Sequence, residues 1–179
     1  SAVYREGRWR NGLGVSWDIA QDSGGDDFIW RMALARLDAD VAFSDYPEVD
    51  RIFTLIDGEG LTLEIEGRGA LAAAKYRPVH FPGDRPTRCR LTSGPCRALN
   101  LFLKRRVLAA DVSVTSHAKG DDVAIPSMAL IFVATGMAGI NGGTLGREDC
   151  YRAEESASLR CLHDTVLWRA TLLAQTSPT

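Results

Sequence analysis

Alternation of apolar and polar residues with a period of two is the strongest constraint on how this chain can fold. In Leu61-Thr62-Leu63-Glu64-Ile65-Glu66, the residues Leu61, Leu63 and Ile65 share one face, as in a strand half-buried on a core. Trp30-Arg31-Met32-Ala33-Leu34 places Trp30, Met32 and Leu34 together and sends Arg31 the other way. Leu99, Leu101 and Leu103 likewise leave Asn100 and Phe102 on the opposite face. Ile52 to Ile56 and Leu61 to Glu66 flank Asp57-Gly58-Glu59-Gly60, a hairpin signal. No segment holds a sustained amphipathic helical period, and Ala70 to Ala74 is expected to supply at most a turn or two of helix. The pattern predicts a nearly all-β fold.

The pattern also recurs at long range. Arg51-Ile52-Phe53-Thr54-Leu55-Ile56-Asp57-Gly58 has an echo in Ala129-Leu130-Ile131-Phe132-Val133-Ala134-Thr135-Gly136, with Gly58 and Gly136 lying 78 positions apart. Lys75-Tyr76-Arg77 has one in Cys150-Tyr151-Arg152, with Tyr76 and Tyr151 lying 75 positions apart. Ordered echoes at a nearly constant offset predict a duplicated β-sandwich or barrel module. Lys104 to Ala110 would then cross between the halves. A chain of 179 residues can bury the core this requires. The unusual residues concentrate in the first half, which is therefore expected to hold the chemistry while the second completes the structure.

Composition excludes several functions. With 45% hydrophobic and 25% charged residues the chain has ordinary globular proportions. A net charge of −2 gives no electrostatic case for nucleic acid or an anionic membrane surface as partner. The best apolar stretch, Met128 to Ala134, has the length of a strand and falls short of a spanning helix. No cationic leader followed by an apolar segment opens the sequence. Cys89, Cys96, Cys150 and Cys161 form no C-x-x-C pair and no zinc-like cluster with the histidines. Free thiols in a reducing cytoplasm are the expectation. Gly14-Val15-Ser16-Trp17-Asp18 lacks the second glycine of a nucleophile elbow, and no phosphate-cradling or dinucleotide fingerprint is present.

What remains suits the binding of a small anionic metabolite. Trp9-Arg10-Asn11-Gly12-Leu13-Gly14 sets an aromatic, a cation and an amide on a glycine-bent segment before the strand-like Val15 to Ile19. Alternation puts Arg51 on the same face as Phe53 and Leu55, where its charge must be paired or face a ligand. A guanidinium fork matches a carboxylate. Asp50 points to the other face if the strand is regular. Asn11 and Asn100 each offer a donor and an acceptor, Trp9 and Phe43 could wall a pocket, and Ser44 adds a hydroxyl. Competing readings stay open. Arg31 and Arg51 could form salt bridges with Asp18 or Asp50, Asn100 could satisfy strand ends, and Phe43 could be core.

Three blocks resemble the HutD/Ves family. Trp9-Arg10-Asn11-Gly12-Leu13-Gly14 with Ser16 and Asp18-Ile19 is similar to its W-K-N-G-G-G-x-T-x-E-I opening. Trp30-Arg31 with Phe43-Ser44-Asp45-Tyr46-Pro47-Glu48-Val49-Asp50-Arg51 is similar to W-R followed by F-S-x-F-P-G-x-D-R. Phe81-Pro82-Gly83-Asp84, Cys89-Arg90-Leu91, Gly94-Pro95 and Asn100-Leu101 match F-x-G-D, R-L, G-P and N-L. Arg10 stands where the family has lysine, Leu13 and Glu48 replace glycines, and Ala98 replaces an acidic residue.

The resemblance implies an all-β bicupin of two double-stranded β-helix (jelly-roll) modules, residues 1–106 with the ligand site and 107–179 structural, packed as one unit. Cupin metal sites use an H-x-H pair, a glutamate and a later histidine. His80, His117 and His163 form no such set, so no metal cofactor is expected. His80 is read as either a structural histidine or a proton carrier, with Asp84 its one acid partner worth examining. The family's association with histidine utilisation implies a metal-independent modulator that binds urocanate or an N-formyl or formimino derivative of glutamate. Alternatives are a metal-free isomerase or small-amide hydrolase of that pathway, and a protein-interaction module without ligand. A homodimer through edge strands is a further possibility.

Overall fold

The computed structural model describes residues 5–9, 11–22 and 27–175, and every regular element among them is a β-strand. The chain divides between Leu108 and Ala109 into two compact units. The first contains β1 (Arg5–Arg8), β2 (Val15–Gln21), β3 (Trp30–Leu37), β4 (Val41–Ala42), β5 (Val49–Asp57), β6 (Leu61–Ile65), β7 (Gly69–Ala73), β8 (Val79–Pro82), β9 (Thr87–Leu91) and β10 (Cys96–Lys104). They form a six-stranded sheet, β1-β2-β3-β10-β5-β8, and a four-stranded sheet, β4-β9-β6-β7. Phe53, Leu55, Leu61, Leu63, Cys89 and Ala98 meet in the core of this unit; on β6 this is the face that alternation marks, whereas β10 turns Ala98 to this core and buries Leu99, Leu101 and Leu103 on its other face.

The second unit is built from β11 (Leu108–His117), β12 (Asp122–Ile125), β13 (Ala129–Thr135), β14 (Ala138–Ile140), β15 (Gly143–Leu145), β16 (Cys150–Ala153), β17 (Ala157–Cys161) and β18 (Thr165–Ala174). Its sheets run β11-β18-β13-β16 and β12-β17-β14-β15. Adding eight to each number in β3-β10-β5-β8 and β4-β9-β6-β7 reproduces both orders. Each unit is thus the same two-sheet jelly roll, the double-stranded β-helix expected, and the first adds β1 and β2 at one edge.

The duplication reaches single residues. In β5, Leu55 and Asp57 pair with Ala98 and Arg97, and Ile56 is skipped in a bulge. In β13, Val133 and Thr135 pair with Leu167 and Val166, and Ala134 is skipped. Ile56 and Ala134 share the offset of Gly58 and Gly136. Both glycines have positive φ, and a Cβ would lie 2.5 Å from Cys96 Sγ at Gly58 and 2.3 Å from the Asp164 carbonyl at Gly136. That is why the echo keeps glycine at both.

Two expectations fail. Ala70 to Ala74 is not helical: β7 takes residues 69–73 and pairs along β6, Ala73 opposite Leu61 and Gly69 opposite Ile65. Five residues are too few to nucleate a stable helix, so the ladder prevails over alanine's helical preference. The tyrosine echo is coincidental. Tyr151 pairs with Ile131, the counterpart of Phe53, whose partner is Val79. The true counterpart of Tyr76 is Glu148: each has positive φ, and their amides donate to the carbonyls of Leu55 and Val133.

Candidate functional site

Register across the six-stranded sheet places four side chains in one row. Arg31 lies opposite Phe102, Phe102 opposite Arg51, and Arg51 opposite Phe81. Cation and aromatic alternate, one per strand, on β3, β10, β5 and β8. The neighbouring row runs Ala33, Asn100, Phe53. Small side chains at Ala33, Ala35 and Ser16 leave space above the sheet, and Trp9, Phe43, Ser44 and Tyr46 cover it from the loops. All these residues except Phe81, which packs against Arg51 from behind the lining, border one cavity in the first unit.

Arg51 is its centre. The side chain is only 6% exposed. Its Cζ lies 4.6 Å from the centroid of Phe43, 4.9 Å from Phe102 and 5.2 Å from Phe81, within cation–π range of all three rings. Nη2 donates to Asn100 Oδ1 at 2.8 Å, while Nε has no hydrogen-bond partner. No carboxylate pairs with it among the described residues. Burial pulls its pKa from 12.5 down to about 10, with Tyr46 opposing the shift and the neighbouring Arg31 adding to it. The group therefore stays cationic at neutral pH. Three cation–π contacts of ~0.5–2 kcal/mol each compensate in part for losing water. An unmade hydrogen bond on a buried ion remains costly.

Arg31 has a different solution. Its Nε donates to Asp18 Oδ1 at 2.7 Å, and Nη2 donates to the same oxygen. Burial works to lower its pKa, but the hydrogen bond and charge of Asp18 outweigh it and hold the pKa above the ordinary value. The salt-bridge reading is correct for Arg31 and not for Arg51. Asp50 faces away, as strand regularity requires, and accepts from Arg105 Nε at 2.8 Å. Arg105 also clasps Asp84, whose pKa its hydrogen bond lowers.

Of the residues singled out in the sequence, Trp9, Arg31, Phe43, Ser44, Arg51 and Asn100 come together around the cavity. Asp50, Asn11 and Gly12 do not line it, and Arg10 lies outside the described residues. Asn11 closes its own turn. Its Nδ2 donates to the Ala42 carbonyl, its Oδ1 accepts from Leu13 N, and its amide donates to Ser44 Oγ at 3.2 Å. With that oxygen already accepting, the Ser44 hydroxyl is free to donate elsewhere. Gly12, at φ 70°, and the Gly12-to-Trp9 backbone bond make the bend. Alternation had signalled Phe102, and Ser16 and Tyr46 stood inside the first and second blocks, but their place in the site needed the register.

The cavity is small, with about 20 Å³ open to the centre of a water-sized sphere, room for about one such group. Trp9 also lines an open groove of about 670 Å³, beside Leu13, Trp17, Arg36 and Arg88. The indole thus lines both the small cationic cavity and a wider outer groove. The lining does not fit a metal ion: it contains two guanidinium groups and no imidazole, carboxylate or thiol. Among the described residues, no three His, Cys, Asp or Glu side chains converge. The four cysteines are free, and burial pushes the thiols of Cys89 and Cys150 up to about 12. No helix long and apolar enough to cross a membrane occurs among the described residues.

Two jelly rolls of matching strand order in one chain define a bicupin. The HutD family model matches residues 1–168. The chain belongs to the HutD family. It is 32% identical over 162 residues to Protein Ves of Cronobacter sakazakii, covering 86% of this chain and 85% of that one. An uncharacterised 21.2 kDa protein in the hutC 3′ region of Pseudomonas putida is 28% identical, over 84% of this chain and 83% of its own. The structure of HutD from Pseudomonas fluorescens SBW25, formate condition, superposes with a TM-score of 0.78 at 24% identity, covering 97% of this chain and 95% of that one.

Proposed function

We propose that the first unit binds a small carboxylated metabolite without a metal, and that binding modulates histidine utilisation. The observation that carries this reading is Arg51: a buried cation, held by three rings and one amide, with an unused Nε–H and no carboxylate partner. An anion supplies what the cavity lacks, at charge-assisted hydrogen-bond strength. Arg51 anchors the carboxylate, Ser44 donates its hydroxyl, and Asn100 holds the guanidinium in place. Asn11 serves by fixing Ser44.

A relative from the hutC 3′ region and a HutD structure in a formate condition support the link to histidine utilisation and make formate a natural first probe. Urocanate and the N-formyl or formimino derivatives of glutamate are the pathway-sized candidates. Anything larger than one carboxylate requires the Trp9 side to give way. The lining contains no imidazole or carboxylate to move a proton, which favours binding over turnover.

The test is calorimetric titration of formate, urocanate and N-formylglutamate into the wild type and Arg51→Met. At least one ligand is expected to bind the wild type below about 1 mM, roughly −4 kcal/mol, and to lose at least thirtyfold in the variant. Failure of all three to bind the wild type at that level removes the reading.

A further inference from the structure

Resting on Arg51 as the anion anchor, we infer that the Tyr46 hydroxyl donates to the carboxylate oxygen that Arg51 Nε leaves unbound, and so sets how tightly the anion is held. Tyr46 lines the cavity, shares a side-chain hydrogen bond with Arg31 and interacts electrostatically with both Arg31 and Arg51. A guanidinium only donates, so the phenol oxygen accepts from Arg31 and its own proton is what it has to give. Arg51 Nη2 already donates to Asn100 Oδ1 at 2.8 Å, and its Nε–H has no partner. A bound carboxylate offers about four acceptor positions, of which Nε–H and the Ser44 hydroxyl fill two. A phenol hydroxyl donating to a charged oxygen makes one of the stronger hydrogen bonds. In the F-S-x-F-P pattern that Phe43-Ser44-Asp45-Tyr46-Pro47 resembles, phenylalanine stands in the place of Tyr46. The ring belongs to the pattern, and the hydroxyl is this chain's addition to it.

The seat of Tyr46 is fixed before any ligand arrives. Its backbone amide donates to the Gly83 carbonyl at 2.9 Å, and its carbonyl accepts from the Val49 amide at 3.3 Å. A Cβ at Gly83 would lie 3.2 Å from Tyr46 Cβ, so glycine leaves room for this approach. Only 8% of Tyr46 is exposed. Its ring packs on that of Phe102, with centroids 4.8 Å apart, and joins Phe28, Ala33 and Val49 in one buried cluster. Phe102 in turn lies 4.9 Å from Arg51 Cζ and 5.7 Å from Arg31 Cζ. A donor held in this way loses little freedom when the anion binds.

Tyr46→Phe removes one oxygen and keeps the ring that packs on Phe102, so the variant retains its fold. Formate is the probe, followed by calorimetric titration and by the infrared carboxylate stretch of isotope-labelled formate in the complex. The variant is expected to bind formate about tenfold or more weakly than the wild type, with the stretch of the bound anion displaced from its wild-type frequency. Equal formate affinity in the two proteins overturns the inference while leaving the Arg51 site intact. So does a weaker affinity with an unmoved stretch, because Tyr46 would then act only through Arg31. Absence of formate binding by the wild type overturns the inference as well. If urocanate and N-formylglutamate also fail to bind, the Arg51 reading falls with it.

Discussion

The two units share strand order, a bulge and a glycine turn, yet only one has a cation buried at its centre. Register identifies the counterparts. Arg51 corresponds to Ala129, Phe53 to Ile131, Phe81 to Ala153, Phe102 to Thr171 and Asn100 to Arg169. Ala129, Ile131 and Ala153 are fully buried, so the second unit puts apolar groups in the places of Arg51, Phe53 and Phe81, with Arg169 and Thr171 only half-buried beside them. The jelly roll therefore does not need Arg51, and the arginine with its aromatic row is an addition to a fold that is complete without it. Residues kept in both units answer to the backbone, and those kept in one answer to something else.

The largest expected effect comes from moving the cation without its surroundings. Ala129→Arg places a guanidinium where the facing residues are Ala153 and Thr171, with no ring to receive it. We expect a loss of about 3–5 kcal/mol by denaturant unfolding. A loss below about 1 kcal/mol would mean that the barrel tolerates a bare charge and that the rings around Arg51 matter little.

The reverse change should stabilise. Arg51→Met removes an incompletely satisfied ion and leaves an apolar side chain among phenyl rings. A gain of about 1–3 kcal/mol at pH 7 is expected, together with the loss of anion binding. Its pH dependence has a definite sign. The Arg51 pKa is lower in the folded protein, about 10, than in the unfolded chain, so between these values the unfolded state holds more protons and stability rises with pH. The deficit of the wild type against the variant should be full below pH 10 and shrink above it. A deficit that widens above pH 10 contradicts burial as the cause.

The β1–β2 addition to the first unit offers a smaller test. A Cβ on Gly14 would lie 2.6 Å from Trp9 Cε2. Gly14→Ala must push the indole off its seat, at about 1–2 kcal/mol for overpacking. Because Trp9 lines both the cavity and the outer groove, anion exchange should also quicken. Unchanged stability and kinetics would show that the indole is not held by this contact.

Alternation along single strands was enough to assign Arg31, Arg51, Asn100 and Phe102 to their faces and to turn Asp50 away. It could not show that Arg31, Phe102, Arg51 and Phe81 form a row, because that depends on pairing between strands distant in sequence. Asn11 has the chemistry of a ligand residue, but its hydrogen bonds close within the neighbouring turns, a choice set by loop geometry. The glycine echo had a steric cause in both units. The tyrosine echo had none, and the positive φ shared by Tyr76 and Glu148 left no common residue type to find.

The smallest effect concerns how each central strand begins. Glu48 precedes β5 at φ 58°, and Met128 precedes β13 at φ 55°. Both side chains are exposed, so little packing opposes a change. A left-handed conformation costs an L-residue ~1–2 kcal/mol, and glycine's extra freedom when unfolded offsets ~0.5–1 of that. Glu48→Gly and Met128→Gly should each therefore stabilise by about 0.5–1 kcal/mol, measured as a rise in the midpoint of urea unfolding at constant slope. Equal gains would mark the strand entry as part of the shared jelly roll. A gain at Met128 alone would mean that Glu48, one residue from the Val49-Asp50-Arg51 segment, is retained for the site.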